Sequence, residues 1–125
     1  MGKPVNDTSL DAAASTGAGS ALRLRGHYHL GLFVALDNYD AANDTVEVDL
    51  EISPNGNDWA TLLTITDSEI PSDGTAFAHE FGVPAEFIRA TATTVDDAAG
   101  GDLAVTACTM GAGWEGPGVR GGRET

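Results

Sequence analysis

Three histidines and one run of carboxylates are the residues of this chain whose types and spacing could do chemistry. His27 and His29 stand two apart, which on a strand puts both rings on one face, and His79 could add a third metal ligand. Arg23 and Arg25 precede them on the same alternation, and two cations oppose the binding of a third. The expectation is therefore outward polar residues and no metal. Glu47, Asp49 and Glu51 share a face in the same way, about 6.5–7 Å apart from one to the next, the separation of an inverting glycosidase pair. Nothing around them announces the apolar pocket that would keep one carboxyl protonated. A solvated face, or one paired across the sheet with Arg23 and Arg25, is expected instead. Asp37, Asp40 and Asp44 share a loop but lack the spacing of an EF-hand. Cys108 is the single cysteine, so no intrachain disulfide is possible, and its apolar neighbours mark it as a small core hydrophobe rather than a reactive thiol. No Ser, Cys or Lys nucleophile motif occurs. No catalytic, cofactor-binding or metal residue is assigned, and an enzyme is not expected.

The elements that must position these residues read as strands. In Thr45–Trp59, Val46, Val48, Leu50 and Ile52 alternate with the three carboxylates, and Ser53-Pro54-Asn55-Gly56-Asn57-Asp58 supplies turn chemistry. A hairpin is expected there, its second strand opened by Trp59 as a core anchor. Leu22 to Leu36 alternates over an unusual length, with Gly26 as the expected break. Further strands are expected over 59–66, 76–81, 87–94 and 103–110, with Asp73-Gly74 and 96–102 as turns. The pattern describes an all-β chain: a single antiparallel β-sandwich, jelly-roll or Ig-like, of six to eight strands. Residues 1–20 show no periodicity and are expected to be a flexible N-terminal arm, 21–110 the sandwich domain, and 111–125 a glycine-rich C-terminal arm.

Charge narrows the function. Nineteen Asp and Glu oppose six Lys and Arg, a formal net charge of −13 in 125 residues. Such a surface repels phosphate backbones and acidic leaflets, so neither nucleic acid nor membrane is an expected partner. The carboxylates are spread along the whole chain and Lys3 is the only lysine. Distributed acidity of this kind fits adaptation to molar salt, where self-repulsion is screened. The start of the sequence lacks a basic segment followed by an apolar core, so a signal peptide is not expected.

The stretches LFVALDN, VEVDLEISPNGNDWATL and FIRATAT resemble the small β-sandwich structural proteins of tailed viruses. The likeness rests on a strand running into Ser53-Pro54-Asn55-Gly56 and Trp59, and on the later Phe87-Ile88-Arg89 strand. It implies a virion protein with no catalytic residues, and the acidity adds a halophilic archaeal host. Capsid decoration or turret, on the outside of the particle, is the expected role, with tail or head-tail subunit as the alternative. The expected partners are major capsid or other virion proteins and further copies of the chain. The chain would be made in the host cytoplasm and act in the extracellular particle. Trp114, Arg120 and Arg123 are the expected contact residues of the C-terminal arm, because interfaces enrich aromatic residues and arginine. A host-glycan-binding adhesion module is the competing reading, with Tyr39, Trp59 and Trp114 as its aromatic candidates.

Overall fold

The structure, a computed structural model, describes residues 3–113. Eight strands follow one another: β1 (Val5–Ala13), β2 (Gly17–Arg23), β3 (His27–Asp37), β4 (Thr45–Ser53), β5 (Ala60–Thr66), β6 (Thr75–Phe81), β7 (Phe87–Asp96) and β8 (Ala104–Gly113). One 3-10 turn, Asp67–Glu69, lies between β5 and β6. The first sheet has the order β1-β8-β3-β6 and the second β2-β7-β4-β5. Pairing is antiparallel and nested: β1 with β8, β2 with β7, β3 with β6 and β4 with β5. A long hairpin has thus rolled up on itself and split into two sheets, which is the jelly roll rather than the Ig-like alternative. No helix among the described residues is long and apolar enough to cross a membrane.

The alternating apolar positions become the space between the sheets. Leu30, Leu32, Val34 and Leu36 of β3 face Val46, Val48 and Leu50 of β4, and Ile88, Ala90, Val105 and Ala107 fill in from β7 and β8. All are buried, so one face of each strand forms the core and the other is left for solvent or partners. Gly26 breaks the long alternation as expected: its φ of +78° turns the chain from β2 in the second sheet to β3 in the first. The 53–58 turn also forms as its chemistry dictates. Ser53 Oγ accepts from the Gly56 N–H at 2.7 Å, and Asn55 Oδ1 accepts from the N–H groups of Asn57 and Asp58 at 2.8 and 2.9 Å.

Two boundaries need correction. Residues 5–20, expected as part of a flexible arm, are β1 and most of β2. Their alternation is hidden because β1 meets β8 with register shifts between Thr8 and Leu10 and between Leu10 and Ala13. Each bulge moves the following side chains to the other face. Buried Ser9 fastens the segment: its hydroxyl donates to the Ser20 carbonyl at 2.7 Å and accepts from the Ala90 N–H at 2.8 Å. At the other end β8 runs to Gly113, three residues past the expected limit of the sandwich.

Candidate functional site: two outer faces of opposite character

Glu47, Asp49 and Glu51 do share the outer face of the second sheet, but their partners differ from those expected. Arg89, opposite Glu51 in the register, donates to Glu51 Oε1 at 2.7 Å, and the Thr91 hydroxyl donates to the same oxygen at 2.8 Å. Asp49 accepts from Thr64 at 2.8 Å and from Thr61 at 3.2 Å, and these threonines cover it until only 9% of it is exposed. Arg23 instead pairs with Glu86 at 3.2 Å, in an exposed contact of small energetic weight. On this face Asp49 and Glu51 form a lattice with threonine hydroxyls and one guanidinium, built by β4, β5 and β7.

Trp59 belongs to this lattice and not to the core. It is half-buried, and the Arg89 guanidinium lies over its ring, 4.1 Å from the centroid. Trp59 precedes β5 and so stays outside the sheet sandwich; stacking on an arginine already held by Glu51 is what fixes it. Trp59→Ala is accordingly expected to cost about 1–2 kcal/mol, against the roughly 3–5 kcal/mol of a core tryptophan. Urea unfolding of the two proteins in molar NaCl measures the difference.

The histidines do not form the set that their spacing implied. A register shift between His27 and His29 against β8 breaks the alternation, so the two rings part. His27 turns inward and is 3% exposed. Its Nδ1 accepts from the Arg25 N–H at 3.0 Å and its Nε2 donates to the Lys3 carbonyl at 2.9 Å, so both ring nitrogens are occupied. His29 stays outward and meets His79, with Nε2 and Nδ1 2.9 Å apart. Among the described residues no three His, Cys, Asp or Glu side chains converge as a metal site. In the Asp37–Asp44 loop the carboxylates tie backbone: Asp44, buried, accepts from the N–H groups of Asp40 and Ala99 at 2.9 and 3.1 Å. Asp40 accepts from the Asn43 side chain and the Ala42 N–H, which hold its carboxyl below the usual carboxylate value.

The outer face of the first sheet is of the opposite kind. On β3 the outward positions are His29, Gly31, Phe33, Ala35 and, at the strand's end, Asp37; the first four stand opposite Phe81, His79, Phe77 and Thr75 of β6. On their other side they meet Ala112, Met110, Cys108 and Thr106 of β8. Asp37 apart, none of these residues is Asp, Glu, Lys or Arg, although one residue in five of the chain is charged. Phe77 and Phe81 are 54% and 53% exposed. Gly31 forms the floor: a Cβ there would stand 3.0 Å from Met110 Cγ and from Phe77 Cε1, so both side chains lean across it. A shallow cavity of about 160 Å³ remains between Pro4, His29, Phe77, His79 and Met110. The His79 ring stacks on Phe77 with centroids 5.7 Å apart, and His29 meets Phe81 edge-on at 5.3 Å. Cys108, expected as a core hydrophobe, lies on this face half-buried, its Sγ 3.9 Å from the Thr8 hydroxyl.

Reasoning from the sequence missed this face because it is assembled from three strands far apart in the chain. The signal that could have found it is the run of uncharged alternate positions on each of them. Of the residues named in advance, Tyr39 packs against the core, and burial with the nearby Asp67, Asp44 and Asp40 carboxylates pushes its hydroxyl above the ordinary tyrosine value. Trp114, Arg120 and Arg123 lie outside the described residues.

No protein-family model and no curated protein matches the chain. Among solved structures it overlaps the SPBc2 prophage-derived protein YomS with a TM-score of 0.61 at 9% identity, covering 87% of this chain and 92% of that one. It also overlaps a structure from the disulfide-linked pili of Bacillus endospore appendages, with a TM-score of 0.42 at 13% identity and 86% of each chain covered. At such identities the likeness to YomS is one of fold, and it extends over nearly the whole of both chains.

Proposed function

We propose that this chain is a structural protein of a tailed-virus particle whose host lives in molar salt, set on the outer surface as a capsid decoration or turret subunit. It is a binding part and not an enzyme. The observation that carries the reading is the division of its surface: carboxylates almost everywhere, and a patch across the middle of β8, β3 and β6 with none. Distributed acidity keeps a particle surface soluble in brine and keeps the chain away from packaged DNA. An uncharged patch with exposed phenylalanines gives it somewhere to dock. The near full-length overlap with a prophage-derived protein, YomS, supports the setting, as do the sequence stretches that resemble tailed-virus proteins. Trp114, Arg120 and Arg123 are assigned to contact with neighbouring capsid proteins.

Capsids of the virus that encodes this chain, prepared without it, provide the test. Added in molar NaCl, the full chain is expected to co-sediment with them to a fixed ratio. A chain ending at Gly113, the last residue of β8, is expected to keep its fold and bind far less. Failure of the full chain to associate with capsids or tails would sink the proposal.

One observation favours a second reading, adhesion to a host-surface glycan. Tyr28, 43% exposed, and Phe81 flank an open hollow with Gly82 and Pro84, a flat aromatic platform of the kind sugars stack on. Saturable binding of surface-layer glycans that Tyr28→Ala abolishes would put this reading first.

A further inference from the structure

We infer that the uncharged patch on the outer face of the first sheet, centred on Phe33, Phe77 and Met110, is the contact through which two copies of this chain associate face to face. The inference stands apart from the virion reading, because it rests only on how charge and apolar surface are distributed.

Charge identifies the occupant. Two identical chains of net charge −13 repel one another wherever carboxylate meets carboxylate. A different partner could answer the acidic surface with basic groups. A second copy has few such groups to offer, since only six Lys and Arg stand against nineteen Asp and Glu, and Arg23 and Arg89 already serve Glu86 and Glu51. The approach that brings the fewest like charges together is through the outward positions His29 to Ala35 of β3 and their neighbours on β8 and β6, where no Asp, Glu, Lys or Arg stands and Asp37 lies at the edge. An isologous contact, the same face on both copies, is also the commonest form of association.

Size and shape agree. Three strands about 4.8 Å apart, each with four outward residues about 6.7 Å from one to the next, make a patch of roughly 14 by 24 Å. Two copies thus bury about 700 Å² in projection and somewhat more with side-chain relief, the size of a weak, concentration-dependent association. The stacking of two such sheets about 10 Å apart is ordinary sandwich packing, in which inward side chains interdigitate. The shallow cavity over Gly31, between Phe77 and Met110, is where a partner's side chain would enter. Cys108, paired with Phe33 in the register, would be covered.

Sedimentation equilibrium of the full chain in molar NaCl is the test, at concentrations from micromolar upwards. The expected result is a mass that rises with concentration to twice that of the chain, reduced twofold in Phe77→Glu, while Thr93→Glu on the exposed face of the second sheet leaves the dimer intact. Circular dichroism checks that Phe77→Glu is folded. A second measurement needs no variant: labelling of Cys108 by a maleimide should slow as protein concentration rises. A monomeric wild type, a Phe77→Glu protein of unchanged double mass, or concentration-independent labelling would each overturn the inference. So would a wild-type monomer that dimerises only after removal of residues 114–125, since the chain's own C-terminal segment would then be the occupant.

Discussion

Moved from 1 M to 0.1 M NaCl, the protein is expected to lose about 3 kcal/mol of stability, because the Debye length grows from about 3 to about 10 Å. The size follows from the net charge of −13. Spread over a folded sphere about 17 Å in radius, against about 36 Å for the unfolded chain, that charge repels itself more strongly in the compact state. At 1 M salt the folded state is penalised by about 2 kcal/mol relative to the unfolded one, and at 0.1 M by about 5 to 6. The strongest ion pair, Arg89 with Glu51, is largely buried and little screened, so it offers no compensation as salt falls. For a chain of this length the change corresponds to a melting temperature lower by about 10 °C. Thermal melts across the salt series measure it, and a flat profile would remove the halophile reading together with its support for the proposed function.

Gly19→Ala is expected to destabilise the fold by about 3 kcal/mol or more, at or beyond the top of the ordinary range for overpacking. A Cβ at position 19 would collide with the Ser9 carbonyl group, and it would stand 2.5 Å from the Ser9 hydroxyl. Backbone cannot step aside as a flexible side chain can, so β1 and β2 must separate. Ser9 then loses its hydrogen bonds to Ser20 and to Ala90, leaving polar groups unsatisfied in the seam between the sheets. Gly101→Ala is the control: its Cβ would meet only the Asn38 carbonyl, at 3.7 Å, and the expected change is within about 0.5 kcal/mol. Urea unfolding of both variants in molar NaCl decides. If Gly19→Ala is as mild as its control, the N-terminal segment does not pack as described and is the loose arm that its composition implies.

Much of this protein follows from sequence because it is local. Alternation in β3, β4, β7 and β8 appears as a period of two wherever one face is buried, and turns at Gly26 and at 53–58 are dictated by residues a few positions apart. From these alone an antiparallel sandwich of about this many strands is determined. What only the tertiary structure decided depends on distant pairing. The choice of jelly roll over Ig-like order lies in contacts such as Val5 with Gly111 and Gly17 with Ala92, which no local pattern records. Bulges did the rest of the concealment. Those in β1 hid a strand behind an aperiodic sequence, and the one beside His27 sent that ring into the interior while its neighbour two residues on stayed outside. Side-chain partners across strands are equally non-local, so Glu51 found Arg89 and Trp59 settled on that arginine instead of in the core. The uncharged patch has the same origin. Each of its three strands contributes alternate uncharged residues that are unremarkable singly, and only their register makes one continuous patch on an otherwise acidic molecule.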